Sequence, residues 1–308
     1  MNYRSIEDLN HSITSSLSKI PVGTDLIVGV PRSGLLVANL LALHLNLPFT
    51  DVEGFMNGRI LQTGYRLKNY IKPFAEYRRV IIIEDSVWSG RSIDEVKSRL
   101  DGLYPDKELI YAAAYVGPDT TEKVDIYFEV VPGPRIFEWN MMHHDYLEQC
   151  CVDIDGVLCI DPTEDQNDDG PNYEKFLNEV DPFFRPTKTI GFLVTNRLEK
   201  YRGLTEAWLA KHNIKFNKLI MLNLPNKQAR LDANNHGGFK ADFYKKNGML
   251  FIESSIWQSE HIAEATGKPV YCVDERRMIY PSSINQKKAE MRRLPRAIIN
   301  KLKSMWSN

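Results

Sequence analysis

Two stretches of this sequence join an apolar run to a pair of acidic side chains. In VIIIEDSVWSGRS, residues 80–92, the β-branched run predicts a buried parallel strand that ends at Glu84 and Asp85. A loop of small residues, 86–92, follows, and SIDEVKSRL has helical spacing. Such a loop offers backbone N–H groups to an anion at a helix N-terminus, and the carboxylates accept hydrogen bonds from hydroxyls. The stretch therefore predicts a site for a sugar phosphate.

The second stretch is CCVDIDGVL, residues 150–158. A strand here delivers Asp153 and Asp155 to the same side, since residues two apart on an extended chain share a face, and Gly156 permits a tight turn. Two carboxylates so placed can bind one Mg²⁺ and act as a nucleophile and an acid/base pair.

The first stretch resembles the phosphoribosyl-pyrophosphate (PRPP) motif of the type I phosphoribosyltransferases. The resemblance implies that Glu84 and Asp85 hold the ribose hydroxyls. It also implies that the loop holds the 5′-phosphate through Ser86, Ser89, Gly90, Arg91 and Ser92. Family loops usually read Thr-Gly-Gly-Thr, so Trp88 and Arg91 are departures.

A further strand, loop and helix is predicted at LIVGV (26–30), PRSG (31–34) and LLVANLLALHL (35–45). VGVPRSG resembles the pyrophosphate-binding loop of the same family, which implies that Arg32, Ser33 and Gly34 hold the leaving group. The alternative is an ordinary turn between strand and helix with a solvated arginine. The polar segment from Met56 to Tyr77 occupies the place of the family's mobile lid, and its basic and aromatic members are Arg59, Tyr65, Arg66 and Lys68. A solvated basic loop is the alternative for this segment.

The segment CCVDIDGVL resembles the first motif of the haloacid dehalogenase (HAD) phosphohydrolases, and later segments resemble the other motifs in order. This implies that Asp153 attacks phosphorus, that Asp155 is the acid and base, and that Thr195, Asn196 and Lys240 bind the phosphoryl group. Asp153, Asp155 (through its carbonyl) and Glu253 are the implied Mg²⁺ ligands. Ser254 stands where many members have a second acidic residue, and a degenerate, inactive domain is the alternative.

The chain of 308 residues suits two α/β domains. We predict a type I phosphoribosyltransferase-like parallel sheet at 1–148 and a HAD-like Rossmannoid domain at 149–283. The gaps between its motifs leave no room for a folded cap. Residues 284–308 form a basic, amphipathic tail that either docks on the protein or lies on an anionic membrane.

Composition excludes several classes of protein. The net charge of −1 carries no nucleic-acid signature, and no apolar run is long enough to span a bilayer. The four cysteines lack CxxC spacing and suit buried thiols in a reducing compartment. No signal peptide is visible, so we expect a cytoplasmic protein, peripheral to the inner face of the membrane if the tail binds there.

Three other groups of polar residues are weaker candidates. Asp51 and Glu53 lie at a predicted strand end and are candidate general bases for the transfer step. His143, His144 and Asp145 are adjacent, so their side chains point in different directions, which disfavours a metal site. The acidic run 161–169 is interpreted as a solvated loop rather than a substrate contact.

Together the two resemblances imply a bifunctional enzyme of the kind found in bacterial polysaccharide gene clusters. The first domain transfers 5-phosphoribosyl from PRPP to a hydroxyl of a lipid-linked glycan, and the second removes the 5-phosphate to leave ribofuranose in an O-antigen or capsule. The alternative is a nucleobase- or nucleotide-salvage phosphoribosyltransferase fused to a nucleotide phosphatase. A third class is a PRPP sensor without catalysis.

Overall fold

The apolar runs form two separate parallel sheets, one in each of two units of the chain. The computed structural model describes residues 1–61, 64–67, 71–233 and 236–282. The first unit is Asn2–Trp139, and the second begins at Asn140. The sequence put the domain boundary at residue 148. Residues 140–149 belong to the second unit because Thr187 N donates to Met142 O and Met249 N donates to Gln149 O.

The first unit alternates strands and helices along the chain. Its strands are β1 (Asn2–Arg4), β2 (Leu26–Gly29), β3 (Phe49–Asp51), β4 (Arg79–Val87), β5 (Glu108–Val116), β6 (Ile126–Val130) and β7 (Arg135–Phe137). Its α-helices among the described residues are α1 (Ile6–Ser15), α2 (Gly34–Leu45), α3 (Val52–Met56), α4 (Gly64–Leu67) and α5 (Arg91–Leu100). The main sheet is parallel with strand order β3-β2-β4-β5-β6, and β1 pairs with β7 in a small parallel sheet.

Both faces of the five-stranded sheet are buried, which explains why its strands are apolar at consecutive positions. Ile81 and Ile83 of β4 pack with Val37 and Leu41 of α2 on one face. Their neighbours in β4 pack on the other face with Phe55 of α3 and with α5. The pleat sends successive side chains to opposite faces, so one strand serves two apolar layers.

The second unit also alternates strands and helices. Its strands among the described residues are β8 (Cys150–Val152), β9 (Ile190–Leu198), β10 (Phe216–Leu222), β11 (Leu250–Glu253), β12 (Val270–Cys272) and β13 (Arg277–Ile279). Its α-helices are α6 (Pro171–Glu179), α7 (Arg202–Lys211), α8 (Lys227–Ala233), α9 (His236–Lys246) and α10 (Ile256–Thr266). The strand order is β10-β9-β8-β11-β12-β13, parallel except for β13, which is antiparallel to β12.

One face of this sheet is covered by α9 and α10, whose Tyr244 and Ile262 pack with Phe251 of β11 and Cys151 of β8. All four cysteines are free thiols and buried, as the sequence predicted. In the described residues between Asp155 and Thr195 there is one helix, α6. Helices α7 and α8 and strand β10 lie between Thr195 and Lys240, so neither gap holds a folded cap.

Several predicted boundaries differ from the observed ones. Strand β4 continues to Val87 because β5 is equally long and pairs with it as far as Val116, so Glu84 and Asp85 lie within the strand. Arg91 and Ser92 lie in the first turn of α5 rather than in the loop. Thr195 lies inside β9 rather than at its end, and Glu53 lies in α3.

The basic tail predicted at 284–308 lies outside the described residues. No helix in the described part of the chain is long and apolar enough to cross a bilayer.

The backbone of β9 touches the segment before β8 so closely that only glycine fits at residue 191. A Cβ there would lie 2.2 Å from the carbonyl oxygen of Glu148, and this neighbour is backbone, which cannot rotate away. We therefore expect Gly191→Ala to lower the free energy of unfolding of the second unit by about 3 kcal/mol. Urea unfolding with pulsed hydrogen-exchange labelling of the β9 peptide measures this.

Gly203 in α7 is the matched control, because nothing lies within 4 Å of a Cβ at that position. There we expect Gly203→Ala to be neutral or to stabilise by up to about 1 kcal/mol. Equal destabilisation by the two substitutions would contradict the close approach at Gly191.

Candidate functional sites

The first candidate site lies where the strand order of the first sheet reverses. From β2 the chain passes to β3 on one side, whereas β4, β5 and β6 lie on the other. In open parallel sheets, ligands bind at this switch point beyond the carboxyl ends of the strands. The loop 30–33 follows β2, and a Cβ at Gly34 would lie 2.7 Å from the Ile83 carbonyl oxygen. The predicted pyrophosphate loop and the Glu84 segment are therefore in direct contact.

Glu84 and Asp85 have different surroundings because neighbouring residues in a strand point to opposite faces. Glu84 is half-buried, and no donor among the described residues lies within hydrogen-bonding distance of its Oε2 atom, which is itself buried. Asp85 is 7% exposed, and its Oδ2 accepts a hydrogen bond of 2.8 Å from Trp139 Nε1. Glu84 thus keeps a free acceptor, whereas Asp85 has a fixed donor.

Burial dominates the electrostatics of both carboxyl groups. Desolvation, with a smaller contribution from the charge of Asp85, raises the pKa of Glu84 to about 7, although a hydrogen bond from Ser92 opposes the shift. Desolvation also raises the pKa of Asp85, against the Trp139 hydrogen bond and the nearby charge of Arg135. Either carboxylate therefore favours a hydroxyl donor as a partner.

The loop after β4 has the geometry of an anion site at a helix start. Gly90, with φ of +81°, is the N-cap of the ten-residue helix α5, and Ser89 Oγ accepts a hydrogen bond from Arg91 N at 3.4 Å. Arg91 and Ser92 are exposed in the first turn, where backbone N–H groups lack helical partners. Ser86 lies earlier, within β4.

The other predicted residues of this unit divide into two groups. Arg32 is exposed in the loop after β2, and Ser33 is the N-cap of α2. Arg59 and Tyr65 are exposed in the predicted lid segment. The Arg66 side chain and Lys68 lie outside the described residues.

The two candidate bases are instead tied to local structure. Asp51 accepts a hydrogen bond from Gly54 N as the N-cap of α3 and pairs with Arg59 at 3.3 Å, and Glu53 pairs with Arg99. These partners explain both carboxylates without a role in proton transfer.

The second candidate site lies at the corresponding place in the second sheet. Strand β8 leads to β9 and β10 on one side, and the chain returns to β11 on the other, so the order reverses between β8 and β11. Asp153 follows β8, and Glu253 ends β11. A cavity of about 200 Å³ opens here, and the predicted residues that line it are Asp153, Asp155, Thr195, Asn196 and Lys240.

Lys240 joins the carboxylates at the base of this cavity. Its Nζ lies 2.5 Å from Asp153 Oδ2 and 2.7 Å from Glu253 Oε2, and all three side chains are at most 7% exposed. Desolvation lowers the pKa of Lys240, but the two carboxylates outweigh this effect and raise the pKa overall. Burial raises the pKa of Asp153, and the ammonium of Lys240 opposes that shift. Removing Lys240 would leave two buried carboxylates without a counter-charge.

Sequence reasoning missed Arg197, which holds Asp155. The guanidinium is buried and contacts the Asp155 carboxylate through Nε at 3.1 Å and Nη2 at 2.6 Å. It also lies over the Trp208 ring, with 5.8 Å from Cζ to the ring centroid. The available signal was an arginine directly after Thr195 and Asn196 in the same strand.

Two further side chains complete the wall of the cavity. Gln258 of α10 accepts hydrogen bonds from Lys240 Nζ at 3.0 Å and Asn196 Nδ2 at 3.2 Å. Arg230 of α8 also lines the cavity and donates to the Asn196 carbonyl oxygen at 3.3 Å. Asp161 also lines the cavity, so the acidic run 161–169 is more than a solvated loop. Within that run, Asp169 accepts hydrogen bonds from Tyr201 and from the backbone of Lys227.

The charges around this cavity fit a divalent cation, although no group of three or more His, Cys, Asp or Glu side chains in the described residues is arranged to hold a metal. The surroundings contain four carboxylates and three cations, namely Asp153, Asp155, Asp161 and Glu253 against Lys240, Arg197 and Arg230. A phosphate ester would add to the negative excess. Carboxylate oxygens are the ligands that Mg²⁺ prefers, so the magnesium ion stays a prediction consistent with the donor set.

The segment 143–145 is held by separate partners. His143 Nδ1 lies 3.0 Å from Thr187 Oγ1, His144 accepts a hydrogen bond from Tyr146 N, and Asp145 pairs with Lys188 at 2.6 Å. Each of these three side chains therefore has a polar partner among the described residues.

Residues 3–147 match the family model described as "Phosphoribosyl transferase domain". This match spans the first unit, including β2, β4 and the loops that follow them. The first unit therefore resembles a phosphoribosyl transferase domain, and PRPP is the donor that such a domain implies. The family-model match ends at residue 147, before the first strand of the second unit.

Two solved structures similar to the first unit each cover less than half of the chain. A Helicobacter pylori xanthine-guanine-hypoxanthine phosphoribosyltransferase is 19% identical and covers 45% of this chain and 91% of its own, with a TM-score of 0.34. A purine phosphoribosyltransferase from Pyrococcus horikoshii is 22% identical over 45% of this chain and 92% of its own, also with a TM-score of 0.34. The search among curated proteins found no match.

The raised pKa of Glu84 predicts a specific pH dependence of stability. In the folded protein the Glu84 carboxyl keeps its proton up to about pH 7, whereas the ordinary pKa of a glutamate is 4.5. The stability that this carboxyl contributes is therefore fully present below about pH 4.5 and is lost as the pH rises through about 7. We expect Glu84→Gln to flatten the fall in the free energy of unfolding over this window.

Urea unfolding at several pH values, with pulsed hydrogen-exchange labelling of the β4 peptide, measures this effect. Glu122→Gln changes an exposed carboxyl of the same unit and serves as the control, with the wild-type slope expected. A Glu84→Gln slope equal to that of wild type would mean that Glu84 keeps an ordinary pKa in the folded protein.

Proposed function

We propose that the protein is a bifunctional enzyme that installs ribofuranose on a glycan. The first unit transfers 5-phosphoribosyl from PRPP to a glycan hydroxyl, and the second unit, a HAD-like phosphatase, hydrolyses the 5-phosphate. The observation that carries the proposal is that each sheet has its own carboxylates at its own switch point. One set accompanies an anion-binding helix start, and the other lies in a cavity with Lys240.

In the transfer step, the acceptor oxygen forms a bond to the ribose anomeric carbon as the bond to pyrophosphate breaks, and the hydroxyl proton of the acceptor passes to the departing pyrophosphate. Attack opposite the α-linked leaving group gives a β-ribofuranoside. The buried Glu84 Oε2 suits a ribose hydroxyl donor, and the start of α5 suits the 5′-phosphate. Arg32, exposed beside these groups, stabilises the charge that develops on pyrophosphate.

In the hydrolysis step, Asp153 attacks phosphorus and the ester oxygen leaves with a proton from Asp155. Water then displaces the phosphoryl group from Asp153, and Asp155 takes the proton from that water. Thr195 and Lys240 bind the transferring group, and Arg197 fixes the orientation of the Asp155 carboxylate. A magnesium ion held by Asp153, Glu253 and the Asp155 carbonyl would neutralise charge on the phosphoryl oxygens.

Two features support a glycan rather than a small nucleotide as the substrate of the second step. The described part of the second unit has no folded cap over its cavity, so a bulky chain end has access. The basic tail at 284–308 suits the surface of a membrane that carries a lipid-linked acceptor.

The nucleophile assignment predicts that the two steps can be separated. We expect Asp153→Asn to reduce phosphate release by at least about 10³-fold, because the amide is a poor nucleophile, while pyrophosphate release continues. A product heavier by one phosphate then accumulates in incubations with PRPP, Mg²⁺ and an oligosaccharide acceptor. Mass spectrometry of the acceptor detects it.

Asp165→Asn is the control for this experiment, since Asp165 is an exposed residue of the same acidic run. It should yield the dephosphorylated product at the wild-type rate. Formation of that product by Asp153→Asn would show that another group attacks phosphorus.

Of the two steps, only the transfer step should depend on Glu84 and Asp85. We expect the double variant Glu84→Gln, Asp85→Asn to slow pyrophosphate release by a factor on the order of 10² or more, because charge opposite the cationic anomeric centre is lost. Phosphatase activity on a supplied phosphoribosyl glycoside should stay at the wild-type level. Assays of pyrophosphate and phosphate release test the two halves of this statement separately.

The double variant Asp119→Asn, Glu122→Gln makes the same chemical changes at exposed positions of the same unit and should be active in both assays. Loss of both activities in the Glu84, Asp85 variant would contradict the division of labour. Pyrophosphate release with a free nucleobase, and none with oligosaccharides, would favour a salvage enzyme instead.

A further inference from the structure

An exposed tryptophan is held rigidly beside the first site. Trp88 follows β4 in the loop that leads to α5, and it is 54% exposed. Backbone contacts fix its ring, since a Cβ at Gly117 or Gly133 would lie 3.0 Å from atoms of the indole. Two segments distant in sequence therefore lack side chains at the points where they meet this ring.

The indole also has a charged partner. The guanidinium carbon of Arg135 lies 4.8 Å from the Trp88 ring centroid, a cation–π contact. Arg135 itself is only 7% exposed, so the part of the ring that it covers is closed to solvent. The rest of the Trp88 ring is exposed to solvent, and the two glycines and Arg135 restrict its rotation.

A continuous set of contacts joins this indole to the carboxylate of the candidate site. Arg135 also lies over Phe137 at 5.4 Å, and Phe137 stacks on Trp139 with 4.9 Å between centroids and 2° between planes. Trp139 donates its indole N–H to Asp85, whose pKa also responds to the charge of Arg135. We call Trp88, Arg135, Phe137 and Trp139 the aromatic wall.

The exposed part of the wall suits a sugar ring. An indole face attracts the C–H groups of a pyranose, while the hydroxyls at the edge of that ring need polar partners such as a carboxylate or a guanidinium. The exposed indole of Trp88 supplies the apolar face, and the contacts described above connect it to the guanidinium of Arg135 and the carboxylate of Asp85. A purine also stacks on an indole, and the choice of a sugar rests on the proposed function.

We propose that Trp88 is the floor of the acceptor subsite and stacks a pyranose ring of the acceptor glycan. The subsite then explains a bulky aromatic residue in a loop of otherwise small residues that binds phosphate. Ribose enters from the Glu84 side, and the acceptor oxygen approaches from the aromatic wall.

Binding of simple sugars tests the subsite without knowledge of the natural acceptor. The probe is a mixture of octyl glucoside, octyl galactoside and octyl mannoside, below their micellar concentrations, with full-length protein, PRPP and Mg²⁺. We expect saturation-transfer NMR to show contact with the pyranose C–H protons in wild type. Trp88→Ala should reduce this signal by about tenfold, and Trp88→Phe by much less.

Two further variants keep the result interpretable. Trp257→Ala removes a more exposed tryptophan from the second unit and should leave the signal unchanged. Gly117→Ala keeps the indole but displaces it, so it should weaken the signal by an intermediate factor. Equal signals from wild type and Trp88→Ala, or none with wild type, would overturn the subsite.

The same samples separate this inference from the proposed function. If wild type binds hypoxanthine instead of the sugars, and Trp88→Ala loses that binding, the indole stacks a heterocycle and the sugar subsite is wrong. If sugars bind at Trp88 but PRPP is never turned over with any oligosaccharide, the proposed transfer fails while the subsite stands. With an active acceptor, Trp88→Ala should raise its KM about tenfold and leave the KM for PRPP within a factor of about three.

Discussion

Carboxyl groups buried at the ends of parallel strands are the constraint on which this structure depends. Moving a carboxylate out of water costs free energy unless a cation or a hydrogen-bond donor compensates. The second unit meets this cost with Lys240, which lies between Asp153 and Glu253, and with Arg197, which holds Asp155. In the described part of the first unit, Asp85 accepts a hydrogen bond from the indole N–H of Trp139, and the charge of Arg135 also favours its ionised form.

These two solutions suit different chemistry. A lysine fixed between carboxylates gives a site of defined charge, which suits the proposed transfer of a phosphoryl group because charge must be balanced at every stage of that reaction. A carboxyl with a raised pKa and an unoccupied acceptor atom, such as Glu84, gains most from a hydroxyl-bearing ligand. A hydroxyl-bearing ligand, the kind that this site is proposed to bind, would offset part of the cost of burying these carboxyl groups.

The aromatic wall links stability to specificity in the first unit. Trp139 both stacks on Phe137 and donates to Asp85, so the packing of one side chain sets the environment of the other. Trp88 is held at the opposite end of the wall by two glycines and Arg135. Trp88, which departs from the usual sequence of this loop, is therefore well packed rather than a sign of a degenerate loop.

The sequence alone determined the elements and the chemistry-bearing residues that sit next to them. Apolar runs fixed β2, β4, β8 and β11, because a strand buried on both faces must be apolar at consecutive positions. Acidic and glycine residues directly after those runs located both candidate sites. The strand length of β4 was not determined, since it depends on pairing with β5.

Only the tertiary structure decided which distant side chains complete each site. Trp139 lies 54 residues from Asp85, Arg197 lies 42 residues from Asp155, and Gln258 lies 62 residues from Asn196. Asp51 and Glu53 resembled candidate bases, but the fold gives them a helix cap and an arginine as partners. The local sequence predicts where a carboxylate lies. Its partner and its burial set its charge and reactivity, and these depend on strand order and packing.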